Sequence, residues 1–285
     1  MVKILLIKTY LYTQKFLINI GLFIAILKPS KRNECLRVLD KLRAVKNSLE
    51  FYRVGDSADG GYVLPKFGKE FEFCLSPGVG PVSDIERHYD DLGIPVLMMD
   101  ASVDGPAVKL RDALFLKKFL GLENSDHYIT LEKSVDLLMS HFKLNANSTG
   151  FLQMDIEGAE YHCILSTPTS VFNAFDVISI EFHGLDKIFL PEFRNILDAT
   201  LTKLQFTHEI VHIHGNNCCG DFNIEKINVP RVAEVTLIAR QILKKYPTNN
   251  DFARSGRGRV YDAKCVESNN EIILSDWWFE KETNL

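Results

Sequence analysis

A glycine-containing loop, Ser76-Pro-Gly78-Val79-Gly80, follows the first strand-like segment of the chain. Because glycine has no side chain, a ligand can approach the backbone closely at two points of this loop. A helix that begins just after the loop presents free N–H groups to an anionic group. The residues that we expect to contact a bound cofactor are Ser76, Gly78, Val79, Gly80 and Asp84.

An acidic residue, Asp100, lies twenty residues beyond Gly80, at the end of the next strand-like segment. From this place a carboxylate can accept hydrogen bonds from both hydroxyl groups of a ribose. The loop and Asp100 together therefore indicate a nucleotide-type cofactor. Two alternatives stay open: the glycines only form a tight turn, or the cofactor is NAD. Binding of NAD is disfavoured because Ser83 occupies the third glycine position of the dinucleotide motif.

Two carboxylates, Asp155 and Glu157, follow the apolar run that begins at Phe151. Open α/β sheets bind ligands at the carboxyl ends of such strands. A carboxylate there can bind the amino group of the cofactor, orient a substrate hydroxyl or take its proton as a general base. We expect Asp155 to be both a catalytic and a cofactor-binding residue. Glu157 has an equally good alternative, which is to cap the following helix.

Three histidines, His183, His212 and His214, lie at or near the ends of the two next strand-like runs. A histidine titrates near neutral pH and can deprotonate a hydroxyl group, so His183 and His214 are candidate catalytic residues. A metal site that combines histidines with Asp155 is an alternative. Its ligands would be spread over three strands without a compact motif, and we expect no metal. A purely structural role for the histidines is the remaining alternative.

Apolar strand-like runs alternate with helical patterns from about residue 71 onward, which is typical of a parallel sheet covered by helices. The helix after the glycine loop is marked by the capping-box spacing of Ser83 and Glu86 and by Gly93 beyond its end. The predicted strands are 71–76, 95–99, 128–129, 151–155, 176–183, 206–214 and 232–239, and the predicted helices are 83–92, 107–120, 131–142 and 193–204.

No helical pattern lies between the last two predicted strands, and the stretch that separates them begins with a polar segment at residues 215–221. Two such strands have to pair antiparallel or sit apart, because a parallel pair needs a long crossover. A mostly parallel sheet that ends in an antiparallel pair distinguishes methyltransferases from most nucleotide-binding relatives. The pattern therefore predicts an α/β protein of the Rossmann-like class I methyltransferase fold, with seven strands and with helices on both faces of the sheet.

The composition is that of an ordinary globular protein, with 285 residues, 46% hydrophobic residues and 25% charged residues. The net charge is only -4 and both signs are mixed along the chain, which disfavours a nucleic-acid partner. The six cysteines form no CxxC pair and no zinc-finger spacing. This usage predicts reduced thiols in a cytoplasmic protein.

An apolar run at residues 16–27, flanked by lysines, dominates the first thirty residues. It is shorter than the roughly 20 residues that span a bilayer. An anchor on the inner face of a membrane, an ordinary packed helix, and a signal or spanning segment are the three alternatives. We divide the chain into this segment at 1–30, an N-terminal helical cap at 31–70 and a methyltransferase domain at 71–285.

Four stretches of the chain, in this order, resemble the FkbM-type methyltransferase family. The resemblance implies transfer of a methyl group from S-adenosylmethionine to a hydroxyl, commonly of a sugar in a glycan or of a natural-product precursor. It also implies cofactor contacts at Gly78, Gly80 and Asp100 and an active-site role for Asp155. The four stretches are Asp59-Gly-Gly-Tyr-Val-Leu, Ser76-Pro-Gly-Val-Gly with Asp100, Gln153-Met-Asp-Ile-Glu-Gly-Ala-Glu, and Ile180-Glu-Phe-His with Val211-His-Ile-His-Gly-Asn-Asn.

Overall fold

The computed structural model describes Thr13, Gln14, Leu17 and residues 28–246 and 257–282. In chain order its helices and strands are α1 (Arg32–Leu42), β1 (Glu50–Val54), β2 (Tyr62–Lys66), β3 (Cys74–Pro77), α2 (Asp84–Asp91), β4 (Val96–Met99), β5 (Ala113–Leu116), β6 (Phe119–Leu120), β7 (Tyr128–Ile129), α3 (Leu131–His141), β8 (Gly150–Met154), α4 (Glu160–Ser166), β9 (Phe175–Phe182), α5 (Pro191–Leu204), β10 (His208–Ile224), β11 (Ile227–Ala239) and α6 (Arg240–Leu243). Short 3-10 helices cover Thr169–Ala174, Leu185–Phe189, Arg257–Tyr261 and Asp276–Phe279.

The main sheet has seven strands in the order β10-β11-β9-β8-β3-β4-β5. The five strands from β9 to β5 are mutually parallel. Strand β11 is antiparallel to both of its neighbours, β9 and β10. Because the parallel strands share one direction, their carboxyl ends open on the same edge of the sheet. The loops that follow these strands therefore surround a common crevice.

Helices cover both faces of this sheet. Neighbouring residues of β8 point to opposite sides, so that Leu152 lies in one buried apolar cluster and Phe151 in another. The first cluster includes buried side chains of α1, α3, α4 and α5. The second includes α2, α6 and the β1–β2 strand pair. The central strands β8 and β9 are thus buried on both sides, as expected for parallel strands that are rich in apolar residues.

The sequence of helix α5 determines where the helix begins and which of its faces is buried. Pro191 stands at the first helical position, where its missing N–H is not needed. Leu197, Leu201 and Leu204 recur at helical spacing and are fully buried. Glu192, Asn195 and Thr202 are exposed on the other face, so one side of the helix packs on the core and the other meets solvent.

Residues 31–70 were expected to form a helical cap, and only α1 in this region is helical. The remainder forms β1 and β2, which pair antiparallel from Glu50 opposite Lys66 to Val54 opposite Tyr62. Val63 and Leu64 of β2 are buried in the same cluster as the main sheet. The region is therefore part of the single core, since a strand pair of this length is not stable alone.

Two other predictions for single elements were wrong. The predicted helix at 107–120 contains instead the strand β5, which pairs parallel with the free edge of β4. Strand β10 does not end at His214 but continues through the polar segment to Ile224, with an irregularity between Asn216 and Asp221. In both places pairing with a neighbouring strand outweighs the local pattern, as is usual for strands.

The apolar run at 16–27 lies outside the described residues apart from Leu17, and so does most of the proposed membrane anchor. In the described part of the chain, no helix combines the length and the apolar character that a membrane crossing requires.

Candidate active site

A cavity of about 560 Å³ opens at the carboxyl ends of the parallel strands. Its volume falls in the range of pockets that hold a small molecule or cofactor. The glycine loop after β3, the end of β4 and the turn after β8 form its walls. Residues singled out from the sequence that line it are Gly78, Val79, Gly80, Asp84, Asp100, Asp155 and Glu157.

The two glycines of the loop have different roles. Both have positive φ, +85° at Gly78 and +57° at Gly80, which favours glycine. A Cβ atom on Gly78 would lie 1.5 Å from the backbone oxygen of Asp155, so this glycine allows β3 and β8 to end side by side. A Cβ on Gly80 would meet no atom within 4 Å. Gly80 therefore leaves open space, whereas Gly78 permits close packing.

We expect Gly78→Ala to destabilise the protein by about 3 kcal/mol or more, because it combines left-handed strain with a backbone clash. Gly80→Ala has the strain without the clash, and a loss of only about 1–2 kcal/mol is expected. Chemical denaturation of both variants measures the difference. Equal losses of unfolding free energy would show that the contact between Gly78 and Asp155 does not constrain the loop.

Asp100 is held at the end of β4 by hydrogen bonds to its side chain. The N–H of Gly80 donates to Oδ2 at 2.9 Å, and the N–H and Oγ of Ser102 donate to Oδ1 at 2.7 and 2.6 Å. The carboxylate lines the cavity although the residue is only 6% exposed. Its oxygens keep free lone pairs, so a fixed carboxylate faces the cavity next to the glycine loop.

Ser76 does not line the cavity, although the sequence suggested a cofactor contact. Its Oγ is buried between Glu86 and Gln153, at 2.6 Å from Oε1 of Gln153 and in hydrogen-bond contact with Oε1 of Glu86. One hydroxyl proton cannot serve two acceptors. A protonated Glu86 resolves this, because it can donate to Ser76 while Ser76 donates to Gln153. Burial indeed raises the pKa of Glu86 to about 7.

A glutamine at position 86 can make the same donation without a carboxylate. The raised pKa means that native Glu86 keeps its proton between its ordinary pKa of 4.5 and about 7. The folded state binds more protons than the unfolded state in this window, so stability falls as the pH rises through it. We expect Glu86→Gln to match the wild type near pH 5 and to exceed its unfolding free energy by about 3 kcal/mol at pH 8.

Urea denaturation at both pH values measures this difference. Glu132→Gln on the exposed face of α3 is the matched control, for which no pH-dependent gain is expected. A gain for Glu86→Gln that is the same at pH 5 and pH 8 would contradict a buried carboxylate with a raised pKa.

Asp155 lies directly after β8, and its side chain is 27% exposed at the cavity wall. Its Oδ1 is buried and accepts no hydrogen bond from any residue that the structure describes. Burial raises the pKa of Asp155 to about 7, against the opposing charge of His183 and with the help of Glu157 and Asp59. A carboxylate with this pKa exchanges its proton near neutral pH, as a general base has to do.

His183 lies behind Asp155, with Nε2 at 3.8 Å from Oδ1 of Asp155. Its Nδ1 is 2.6 Å from Oε1 of Glu160, a fully buried carboxylate that fixes the ring. Burial lowers the pKa of His183, but the hydrogen bond and charge of Glu160 raise it more, so that the net pKa is above its usual value. The histidine can therefore hold a proton beside Asp155.

Glu157 has a left-handed backbone, with φ of +55°, and an 87% exposed side chain. It lies in the turn before α4, and that helix has Ala159 as its N-cap. The alternative that Glu157 caps this helix is wrong. Its carboxylate instead adds negative charge to the rim of the cavity.

Asp155, His183 and Glu181 of β9 are the residues here that could hold a divalent cation, since one ligand atom from each lies within 4.8 Å of the others. Burial and the charges of Asp155 and Glu234 raise the pKa of Glu181 to about 10. Without a cation, protons relieve the repulsion within this group. Asn216 donates to Oε1 of Glu181 at 2.9 Å and holds it in place.

His214, like His183, is not among the residues that line the cavity, and unlike His183 it is not next to Asp155. It is buried between Glu234, at 3.1 Å from Nδ1, and Glu271, at 2.9 Å from Nε2. Burial lowers its pKa, but Glu234, Asp262 and Glu271 raise it to about 9 overall. His212 pairs with Asp262 at 2.8 Å and is likewise away from the cavity.

Sequence reasoning missed several residues of the cavity. Phe119 and Tyr128, on β6 and β7, expose 43% and 44% of their surface and line its mouth, with ring centroids 6.1 Å apart. Glu160 and Glu181 do not line the cavity but lie next to His183, and no role was assigned to either from the sequence. In the sequence each of these two glutamates is a charged residue within an apolar run. This pattern indicates that the side chain is buried, but it does not identify the partner of the side chain.

The chain matches none of the protein-family models compared with it, and no curated protein shows significant similarity.

Proposed function

We propose that this protein is an S-adenosylmethionine-dependent O-methyltransferase that acts on a hydroxyl group, of a sugar in a glycan or glycolipid or of a natural-product precursor. One observation carries the proposal: a single cavity brings together the open glycine loop, the fixed carboxylate of Asp100 and the titratable carboxylate of Asp155. The FkbM-type motifs supply these same residues.

The strand order supports the class I methyltransferase version of the Rossmann-like fold. That version has a seven-stranded, otherwise parallel sheet with one late antiparallel strand, and here β11 lies antiparallel between β9 and β10. The glycine loop follows β3, and Asp100 follows the neighbouring strand β4. Cofactor sites of doubly wound sheets occupy this position.

The cavity walls fit the donor in three respects. Gly80 leaves room for close approach to the backbone, and the first turn of α2 offers N–H groups to the carboxylate of the amino-acid moiety. Asp100 can accept hydrogen bonds from the two ribose hydroxyls. The exposed rings of Phe119 and Tyr128 offer flat apolar faces for an adenine base.

S-adenosylmethionine, when bound, supplies an electrophilic methyl group on a sulfonium centre. The chain has to orient the acceptor hydroxyl towards that methyl group and remove its proton. Asp155 at the cavity wall accepts the proton, and His183 lies behind it at 3.8 Å to stabilise the ionised carboxylate. Positioning the two reactants in one enclosed cavity supplies much of the rate enhancement.

Incubation of the chain with methyl-labelled donor and fractions of cell glycans, lipid-linked sugars and small metabolites tests the proposal. We expect label in a hydroxyl-bearing product, formed with release of S-adenosylhomocysteine. Donor binding without any labelled product would favour a non-catalytic binding protein. Binding of a nicotinamide cofactor at the glycine loop would contradict the assignment of the donor.

A further inference from the structure

A second cluster of potential metal ligands lies outside the cavity, where β10, β11 and the C-terminal segment 257–282 meet. His214 of β10 and Glu234 of β11 are directly opposite each other in the antiparallel register. Cys265 of the C-terminal segment completes the group. All three are more than nine-tenths buried, at 3%, 5% and 8% exposure. The cluster contains one nitrogen, one oxygen and one sulfur donor, so it is not merely a group of acidic residues.

The ligand atoms of the three residues lie close to one another. Nδ1 of His214 is 3.1 Å from Oε2 of Glu234, and Sγ of Cys265 is 3.0 Å from Oε1 of the same carboxylate. One ligand atom from each residue lies within 4.8 Å of the others. In a tetrahedral zinc site with bonds of 2.0–2.3 Å, neighbouring ligand atoms are roughly 3.3–3.7 Å apart. Small shifts of the three side chains would therefore bring their ligand atoms to these spacings.

Glu271 holds the histidine in the orientation that a metal ligand needs. Its Oε1 lies 2.9 Å from Nε2 of His214, on the far side of the ring from Glu234. A carboxylate in this place accepts a hydrogen bond from Nε2–H and so leaves the Nδ1 lone pair facing Glu234 and Cys265. Metal-binding histidines almost always have such a partner on their second ring nitrogen.

We propose that His214, Glu234 and Cys265 bind a zinc ion that joins the C-terminal segment to β10 and β11. A neutral imidazole, a carboxylate and a thiolate together balance the charge of Zn²⁺, and this mixture of donors is one that zinc accepts. Binding displaces two protons to solvent, the thiol proton of Cys265 and the Nδ1 proton of the imidazolium form of His214. The part of the chain that the structure describes offers no fourth ligand in the group, so water takes that position.

The competing interpretation needs no metal. His214 would then be an imidazolium between Glu234 and Glu271, and the thiol of Cys265 would donate to Glu234. The two interpretations differ in whether Cys265 is a thiolate bonded to a metal. The proposal does not depend on methyl transfer, because none of its three ligands lines the cavity at the glycine loop.

Cobalt substitution in the full chain, prepared without an affinity tag, distinguishes them. Cys218 and Cys219 are exposed thiols, so the double variant Cys218→Ser/Cys219→Ser removes a competing thiolate site without touching the core. In this background we expect one equivalent of zinc per chain. After exchange for Co²⁺ we expect a thiolate-to-cobalt charge-transfer band together with the visible bands of tetrahedral cobalt.

Three further variants test whether Cys265 is the thiolate ligand and whether Glu271 supports the site. Adding Cys265→Ser should abolish the charge-transfer band, whereas adding Cys163→Ser, at another buried thiol, should leave it intact. Glu271→Gln should keep the band and weaken zinc binding about 10- to 100-fold. A chelator should lower the Tm of the wild-type chain but not that of Cys265→Ser.

Absence of zinc at one equivalent, or a cobalt spectrum without a thiolate band, would overturn the proposal in favour of the hydrogen-bonded network. A band that survives Cys265→Ser would do the same. If Cys265→Ser does not fold, the spectrum of the Cys218→Ser/Cys219→Ser background and the effect of the chelator on its Tm decide the question alone.

Discussion

Replacement of Asp155 by asparagine is expected to lower kcat for methyl transfer by about 100-fold or more, with donor affinity within a few-fold of the wild type. Asparagine keeps the shape of the side chain and cannot accept the proton. Burial raises the pKa of Asp155 to about 7, and in the proposed mechanism the residue acts in its ionised form, so the wild-type rate should rise between pH 6 and 8 and then level off. The variant should show no such rise.

Steady-state kinetics across this pH range, with calorimetry of S-adenosylhomocysteine, measure both quantities. Asp136→Asn on α3 lies away from the cavity and is the matched control, with kcat expected at the wild-type value. Full activity of Asp155→Asn with intact donor binding would eliminate Asp155 as the base. His183→Gln would then be the next variant to measure, because His183 is the adjacent titratable group.

Replacement of Asp100 by alanine is expected to weaken S-adenosylhomocysteine binding by at least about 100-fold, because two hydrogen bonds from ribose hydroxyls to a charged carboxylate are lost. The same carboxylate accepts the N–H of Gly80 and both donors of Ser102, so the loop also loses its anchor. Calorimetry on the wild type and the variant measures the change, and thermal unfolding shows whether the variant is folded.

Ser102→Ala separates ribose recognition by Asp100 from the anchoring of the loop by the same carboxylate. It removes a hydrogen bond to Asp100 and leaves the carboxylate in the cavity, so only a few-fold loss of affinity is expected. Unchanged affinity in a folded Asp100→Ala variant would place the cofactor elsewhere. An equal loss in both variants would show that the loop conformation, and not ribose recognition, governs binding.

The sequence alone predicted most of the parallel sheet. Strands such as β8 and β9 are rich in apolar residues, and α3 and α5 have clear helical spacing. The error at β5 has a physical cause. Its four apolar residues fit a helix face or a strand, and only the open edge of β4 decides between them. The β1–β2 pair was also missed, because each of these short strands is defined by its pairing with the other.

The glycine-loop side of the cavity was easier to locate from the sequence than the surroundings of Asp155. Gly78, Gly80 and Asp100 act through backbone conformation and through their place at strand ends, and local sequence encodes both. The surroundings of Asp155 depend on side chains that are distant in the chain, such as Glu160 held against His183. His214 carries the same chemistry as His183, and only the register of β10 against β11 shows that its partners are Glu234 and Glu271.

The antiparallel placement of β11 has a consequence for how the chain is made. During synthesis β10 emerges before β11, but it cannot join the sheet, because β11 occupies the position between β9 and β10. Until about residue 239 has left the ribosome, β9 is an unprotected edge, and all eight of its residues are ones that the finished protein buries. Nascent chains that stall in this interval expose an unpaired strand that is prone to aggregation, which makes them substrates for chaperones.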